Sequence, residues 1–108
     1  MNYKVDITPN FEKEAKKLNK RYPSLKEELV SLIIELGEHP TLGTHLGNNV
    51  YKIRLAIASL NKGKSGGARI ISFVKVSATT VTLLSIYAKG NKETITEKEI
   101  QDLIKGYL

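Results

Sequence analysis

Apolar positions in the first third of the chain follow a helical period after one short extended segment. Residues 3–7 alternate between apolar and polar side chains and are rich in β-formers, which predicts a first strand. Two amphipathic stripes follow, separated by Pro23, which disfavours helical dihedrals in the residue before it. The stripes are Phe11, Ala15, Leu18 and Tyr22, then Leu25, Leu29, Leu32, Ile33 and Leu36. We therefore predict two helices packed as an antiparallel pair.

Capping residues mark the ends of these two helices. Thr8, followed by a proline, is typical of a helix start. Ser24 and Glu27, three residues apart, match a capping box for the second helix. Gly37 and Pro40 predict the end of that helix.

The period of the apolar positions changes to two after residues 39–49, whose composition predicts a loop. Residues 50–58 place apolar side chains on one face and Lys52 and Arg54 on the other. Residues 68–76 and 80–88 are apolar on both faces over part of their length, as expected of central strands covered on two sides. Short connections between these three strands predict an antiparallel meander.

A third helix is predicted at the end of the chain. Thr96 and Glu99 form a second capping-box pattern, and an apolar stripe follows it. The stripe is Ile100, Leu103, Ile104 and Tyr107. The predicted order is β-α-α-β-β-β-α. We expect one α+β domain over residues 1–108, in which the N-terminal strand and the helix pair pack on one face of the antiparallel sheet.

Composition narrows the function classes. The 108 residues include no cysteine, which excludes disulfides and thiolate metal sites. The chain shows no signal-peptide pattern and no apolar run near the ~18 residues that a membrane span needs. We therefore expect a cytoplasmic protein that makes no membrane contact.

Charge is distributed unevenly along the chain, whose net charge is +6. No acidic residue lies between His39 and Lys92, whereas both ends carry mixed charge. The cations of this window are Lys52, Arg54, Lys62, Lys64, Arg69, Lys75, Lys89 and Lys92. If the window folds into one sheet, that sheet carries a strong positive field, which favours a polyanionic partner.

Two other kinds of site fit the sequence poorly. The tripeptide Gly63 to Ser65 reads GKS, but Ala58 stands where a nucleotide-binding P-loop needs its first glycine, and a strand follows instead of a helix. The two histidines, His39 and His45, lie in a loop without a nearby acid. We therefore expect neither a nucleotide nor a metal ion, and no cofactor.

A cationic cluster remains as the candidate chemistry. In a meander, Arg69 at the start of one strand lies near Lys52 and Arg54 on the strand before it and near Tyr87 and Lys89 on the strand after it. Such a cluster suits a phosphodiester, because cations stabilise charge developing on phosphorus and arginine donates two parallel hydrogen bonds. The alternative is that the cations on the strands only make an exposed face of the sheet soluble in water. The lysines of the first helix have the same two interpretations, of which a solvated face is favoured.

Several motifs resemble the RelE/ParE superfamily of bacterial toxins over nearly the whole chain. They are FEKEAKKL in the first helix, YKIR in the second strand, KGKSGGARII at the hairpin and LLSIYAK in the last strand. The hairpin is most similar to the RelE/HigB-type mRNA interferases. The resemblance implies the RelE-like fold and the toxin of a type II toxin–antitoxin system, neutralised by a cognate antitoxin.

The resemblance also implies a reaction and its residues. RelE-like toxins enter the A site of the 70S ribosome and cut mRNA without a metal, by attack of the RNA 2′-hydroxyl on the adjacent phosphate. By position, the resemblance assigns catalysis to four residues: Arg69, Lys52, Arg54 and Lys89. We add Tyr87, just before Lys89, as an aromatic side chain for stacking or proton transfer. For such an enzyme we expect Lys62, Lys64 and Lys75 to contact nucleic acid. The alternatives are a ParE-like inhibitor of DNA gyrase and an inert basic RNA-binding domain.

Overall fold

The residues that the structure describes form three α-helices, a short 3₁₀ turn over Val76–Ala78 and one five-stranded mixed sheet. The computed structural model describes residues 2–58, 67–90 and 95–107. The elements are β1 (Lys4–Ile7), α1 (Pro9–Arg21), α2 (Leu25–Glu38), β2 (Thr44–Gly47), β3 (Val50–Leu55), β4 (Ala68–Lys75), β5 (Thr80–Ala88) and α3 (Glu97–Tyr107). The predicted α+β class is confirmed.

Strand order in the sheet is β1-β5-β4-β3-β2. The strands β2 to β5 pair antiparallel in sequence order, as a meander requires. The expected packing of the N-terminal strand on a face of the sheet is wrong. The strand β1 joins the sheet as an edge strand parallel to β5, with Lys4 beside Thr80 and Ile7 beside Leu83, so the sheet is mixed. The loop predicted over residues 39–49 is wrong for 44–47, because these residues form the short edge strand β2.

The helix pair α1 and α2 covers one face of the sheet, as predicted. The two apolar stripes of the sequence meet the inward side chains of β3, β4 and β5 in the larger apolar cluster. Its largest fully buried members include Phe11, Leu25, Leu36, Ile70 and Leu83. Burial of these apolar side chains determines which face of β3 points to the helices. A shift of the strand register by one residue would expose Ile53 and bury Arg54.

The helix α3 covers part of the opposite face. A smaller apolar cluster joins Ile95 and Ile100 to Ile71, Leu84 and Tyr87 of the two central strands. This second layer explains why β4 and β5 are apolar on both faces in the sequence.

Capping differs among the three helices. The Thr8 hydroxyl accepts a hydrogen bond from the Phe11 amide at 3.1 Å, so the predicted start of α1 is confirmed. Thr96 and Glu99 form a reciprocal capping box at α3, also as predicted. The capping box predicted at Ser24 is wrong: Ser24 has helical dihedrals and makes no side-chain cap.

The helix α2 ends between the two residues predicted to end it, Gly37 and Pro40. The helix continues to Glu38, and the cap residue is His39. Gly37 is buried inside the last turn, where its carbonyl accepts a hydrogen bond from the Tyr3 amide at 2.8 Å. The backbone of Gly37 therefore links the chain just before β1 to the last turn of α2.

Among the helices that the structure describes, none is both long enough and apolar enough to cross a lipid bilayer.

Candidate active site

Three of the predicted site residues form one row across the sheet. Arg54 of β3 pairs with Arg69 of β4, and Arg69 pairs with Tyr87 of β5. Side chains at paired positions of neighbouring strands point to the same face, with Cβ atoms about 5 Å apart. The sheet therefore brings two guanidinium groups and a phenol together, as the meander predicted, on the face opposite the helix pair.

Lys52 and Lys89 lie next to this row. Lys52 is partly exposed and stands two residues before Arg54, on the same face of β3. Lys89 is exposed and follows β5 directly, where its amide donates a hydrogen bond to the Gly67 carbonyl at 3.1 Å. That bond continues the pairing of β4 and β5 beyond Ala68 and Ala88. Lys89 therefore lies two residues beyond Tyr87, at the end of this strand pair.

The lysines predicted to contact nucleic acid do not all lie near the row. Lys75 pairs with Thr80 at the opposite end of β4, six residues from Arg69. At a rise of about 3.3 Å per residue, this separation is roughly 20 Å. Lys62 and Lys64 lie outside the described residues.

Burial separates the members of the row. Arg69 is 4% exposed and Tyr87 is 8% exposed, whereas Arg54 is exposed. Burying a guanidinium is costly unless it is hydrogen-bonded, and Arg69 donates to the Ala68 carbonyl at 3.2 Å. The row thus has one fixed cation at its centre and one exposed cation on β3.

Gly67 sets the approach of β4 to β3 beside the row. A Cβ atom at this position would collide with the carbonyl oxygen of Leu55. The absence of a side chain lets the start of β4 lie against the end of β3. The next strand pairs along β4 are Ala68 with Leu55 and then Arg69 with Arg54.

The edge of β5 near the row is held by side chains of α1, a feature that the sequence analysis missed. The strand β1 pairs with β5 only up to Leu83. At the next residue of β5, the side-chain amide of Asn10 donates a hydrogen bond to the Leu84 carbonyl at 3.0 Å. A carboxylate oxygen of Glu14 accepts from the Ser85 hydroxyl at 2.8 Å and from the Ile86 amide at 3.2 Å. These partners lie more than 70 positions apart in sequence, so no local pattern could indicate them.

Neither histidine joins the row. The His45 ring stands 4.9 Å from the Tyr51 ring, on the edge strand pair β2–β3. Within the described ranges, no group of three histidine or acidic side chains is arranged to hold a metal ion.

The arrangement suits a phosphodiester better than a carbonyl or a metal-bound substrate. Two arginines in register present planar donor groups whose geometry matches phosphate oxygens. Fixed positive charge at Arg69 would stabilise negative charge developing at phosphorus without reorganising. The Tyr87 hydroxyl and the Lys52 and Lys89 amines are groups of the kinds that transfer protons.

A family model matches nearly all of the chain. The model describes the RelE toxin of the RelE / RelB toxin–antitoxin system, and it matches residues 3–106. Among curated proteins, the sequence has no significant relative.

Solved structures of toxins share the fold. The free form of an E. coli RelE mutant superposes with a TM-score of 0.67 at 22% identity, over 100% of both chains. A chain of the intact E. coli RelBE toxin–antitoxin complex gives 0.59 at 25% identity, covering 78% of this chain and 93% of that one. A chain of the RelBE2 toxin–antitoxin complex of Mycobacterium tuberculosis gives 0.57 at 18% identity, covering 82% and 99%.

Proposed function

The chain belongs to the RelE toxin family, and from this premise we propose that it inhibits translation by cutting mRNA in the ribosomal A site. The observation that supports this proposal is the row of Arg54, Arg69 and Tyr87, which converges on one face of the sheet with Lys52 and Lys89 beside it. A toxin that acted only by binding DNA gyrase would not need convergent cations around a phenol.

The proposed reaction is a transesterification within the RNA. The 2′-hydroxyl oxygen forms a bond to the adjacent phosphorus while its proton passes to a base, and the bond from phosphorus to the 5′-oxygen breaks. The products are a 2′,3′-cyclic phosphate and a 5′-hydroxyl, which takes a proton from an acid. The nucleophile belongs to the substrate, so the step needs no metal-bound water.

Each residue of the row has a role in this step. Arg69 stabilises the phosphorane, because its guanidinium is fixed in position before reaction. Arg54 and Lys52 position the phosphate and favour the deprotonated form of a neighbouring base. Tyr87 and Lys89 are the candidates for proton transfer or for stacking on a base.

The proposed partners are the 70S ribosome with its mRNA and a cognate antitoxin. Two of the similar structures are toxin–antitoxin complexes, and a third is an E. coli RelE mutant bound to an antitoxin RelB peptide. By analogy, an antitoxin encoded beside this chain would neutralise it in the cytoplasm. Lys62 and Lys64, which lie between β3 and β4 in the sequence, and Lys75 on β4 are the candidates for contacts with the RNA backbone.

Primer extension on mRNA bound to purified ribosomes tests the proposal. We expect codon-aligned cuts with the wild-type protein and a loss of rate of about 10²- to 10³-fold with Arg69→Ala. The exposed Lys26→Ala on α2 is the control and should cut normally. Arg69 is buried, so circular dichroism must show that the variant is folded. The exposed Arg54→Ala provides a second variant whose fold is not at risk.

Two results would contradict the proposal. One is persistent codon-aligned cutting by folded Arg69→Ala and Arg54→Ala proteins. The other is intact mRNA together with a DNA-damage response in cells expressing the wild-type protein, which would favour gyrase as the target.

A further inference from the structure

A cleft on the helix side of β5 borders the outer end of the candidate row. It has a volume of about 330 Å³ and lies between α1 and the last residues of β5. Tyr87 lines this cleft and also ends the row of Arg54 and Arg69. The cleft and the row therefore meet at one residue, around a sheet edge that β1 does not cover.

Three cations of α1 line the cleft at a regular interval. Lys13, Lys17 and Arg21 are each four residues apart, and all three are exposed. At 1.5 Å per residue, successive cations rise about 6 Å along the helix. This interval is comparable with the spacing of phosphates along an extended single strand, whose backbone such cationic grooves follow.

These cations form no ion pair with any residue that the structure describes. Among the described residues, the ion pairs join Lys16 to Glu12 and Lys4 to Asp6, and neither involves Lys13, Lys17 or Arg21. Arg21 also lies over the ring of Tyr22, 5.4 Å from its centre.

Glu14 is the carboxylate among the described residues that line the cleft. One of its oxygens accepts hydrogen bonds from the Asn10 amide, the Ser85 hydroxyl and the Ile86 amide. That oxygen is therefore engaged at the strand edge. Because three cations and one carboxylate line the cleft, its described lining keeps an excess of positive charge.

We propose that Lys13, Lys17 and Arg21 bind the phosphates of the RNA strand next to the nucleotide held at the row. This inference rests on the proposed function, because it extends the same RNA path around the edge of β5. Single-stranded RNA fits better than an acidic protein segment, since the cations are spaced along one line that leads to the site where RNA would be cut. Tyr87 is the junction between the two parts of the path.

A binding measurement with RNA that cannot be cut tests this proposal. The probes are a 12-residue and a 4-residue oligomer of 2′-O-methyluridine, which lack the 2′-hydroxyl that the reaction needs. Dissociation constants are measured by fluorescence anisotropy at several salt concentrations, with the full chain. The variant replaces Lys13, Lys17 and Arg21 with Gln. The matched control replaces Lys16, Lys26 and Lys105 with Gln, which removes the same charge from exposed positions outside the cleft.

We expect the cleft variant to lose roughly tenfold in affinity for the 12-mer and the slope of log affinity against log salt to become shallower by about 2. The 4-mer should bind the variant and the wild type almost equally, because it occupies only the row. The control variant should keep the preference for the longer oligomer. Equal unfolding midpoints for the wild type, the cleft variant and the control variant would show that the differences in affinity do not arise from differences in stability.

Several outcomes separate the alternatives. If the cleft variant binds the 12-mer like the wild type, or if the control loses as much affinity, the inference is wrong. If the variant keeps its RNA affinity but no longer binds its antitoxin, the cleft is a protein-binding surface and the inference is also wrong. A wild-type protein that binds the 12-mer through the cleft but leaves ribosome-bound mRNA intact would contradict the proposed function alone.

Discussion

Among single residues, the partly buried hydrogen bonds near the candidate site contribute differently to stability from the exposed ion pairs on the surface. Glu14 and Glu12 stand two residues apart on α1. The first binds the edge of β5, and the second forms an exposed pair with Lys16 at 3.2 Å. A partly buried acceptor for a backbone amide is costly to remove, whereas an exposed ion pair contributes little.

Replacing Glu14 should therefore destabilise the protein much more than replacing Glu12. We expect Glu14→Ala to lower the free energy of unfolding by about 1–3 kcal/mol, because the Ile86 amide and the Ser85 hydroxyl lose their acceptor. Glu12→Ala should change it by less than about 0.5 kcal/mol. Urea denaturation at constant pH measures both. Equal effects would show that Glu14 does not hold the strand edge.

At the scale of elements, the helix start at Thr8 does more than the sequence pattern indicates. The Thr8 hydroxyl accepts from the Phe11 amide and donates to the Leu83 carbonyl at 3.0 Å. One buried side chain thus caps α1 and fastens it to β5, the strand that carries Tyr87. The local pattern predicted the cap, but the bond to Leu83 depends on a pairing 75 residues away.

Replacing Thr8 tests this double role. We expect Thr8→Ala to cost about 2 kcal/mol of unfolding free energy, at the upper end of the range for helix caps, because a buried bond between elements is lost as well. Thr8→Ser keeps the hydroxyl and is the control, with most of the stability retained. The comparison uses urea denaturation of both variants. A loss as large in the serine variant would assign the effect to the lost methyl group and not to the hydroxyl.

The elements that the sequence analysis missed or misplaced share a physical cause. Long amphipathic segments can be recognised in a sequence, because burying one face requires apolar residues at a regular period. The strand β2 is four residues long, largely exposed and closed by Gly47, so it carries almost no period. The capping box at Ser24 had the correct spacing, but the tight joint after Pro23 leaves Ser24 with helical dihedrals.

At the scale of the whole molecule, much of the site followed from topology. A meander with short connections already places Arg69 beside Arg54 and Tyr87, and the register confirms it. Burial of Arg69 could not be predicted in the same way, because it depends on how the layers around the sheet close. The catalytic and RNA-binding roles remain predictions that the experiments above test.

The two layers also predict unequal local stability. The helix pair packs on the larger apolar cluster, whereas α3 is attached through the smaller one, and Ile100 is its buried residue among those described. Free energies of local opening follow the apolar surface that an element buries. The amides of α3 should therefore exchange with solvent through a local opening that leaves the sheet intact.

Native-state hydrogen exchange measures this difference. We expect the amides in the last two turns of α3 to open at a free energy several kcal/mol below that of amides in β4, which has strand neighbours on both sides. The amides of α1 serve as the internal control and should exchange close to the global value, because Phe11 and Leu18 are buried in the larger cluster. Opening of α3 would uncover Ile71 and Tyr87 without unfolding the sheet. If the amides of α3 and β4 instead opened at the same free energy, the two apolar clusters would form one cooperative unit.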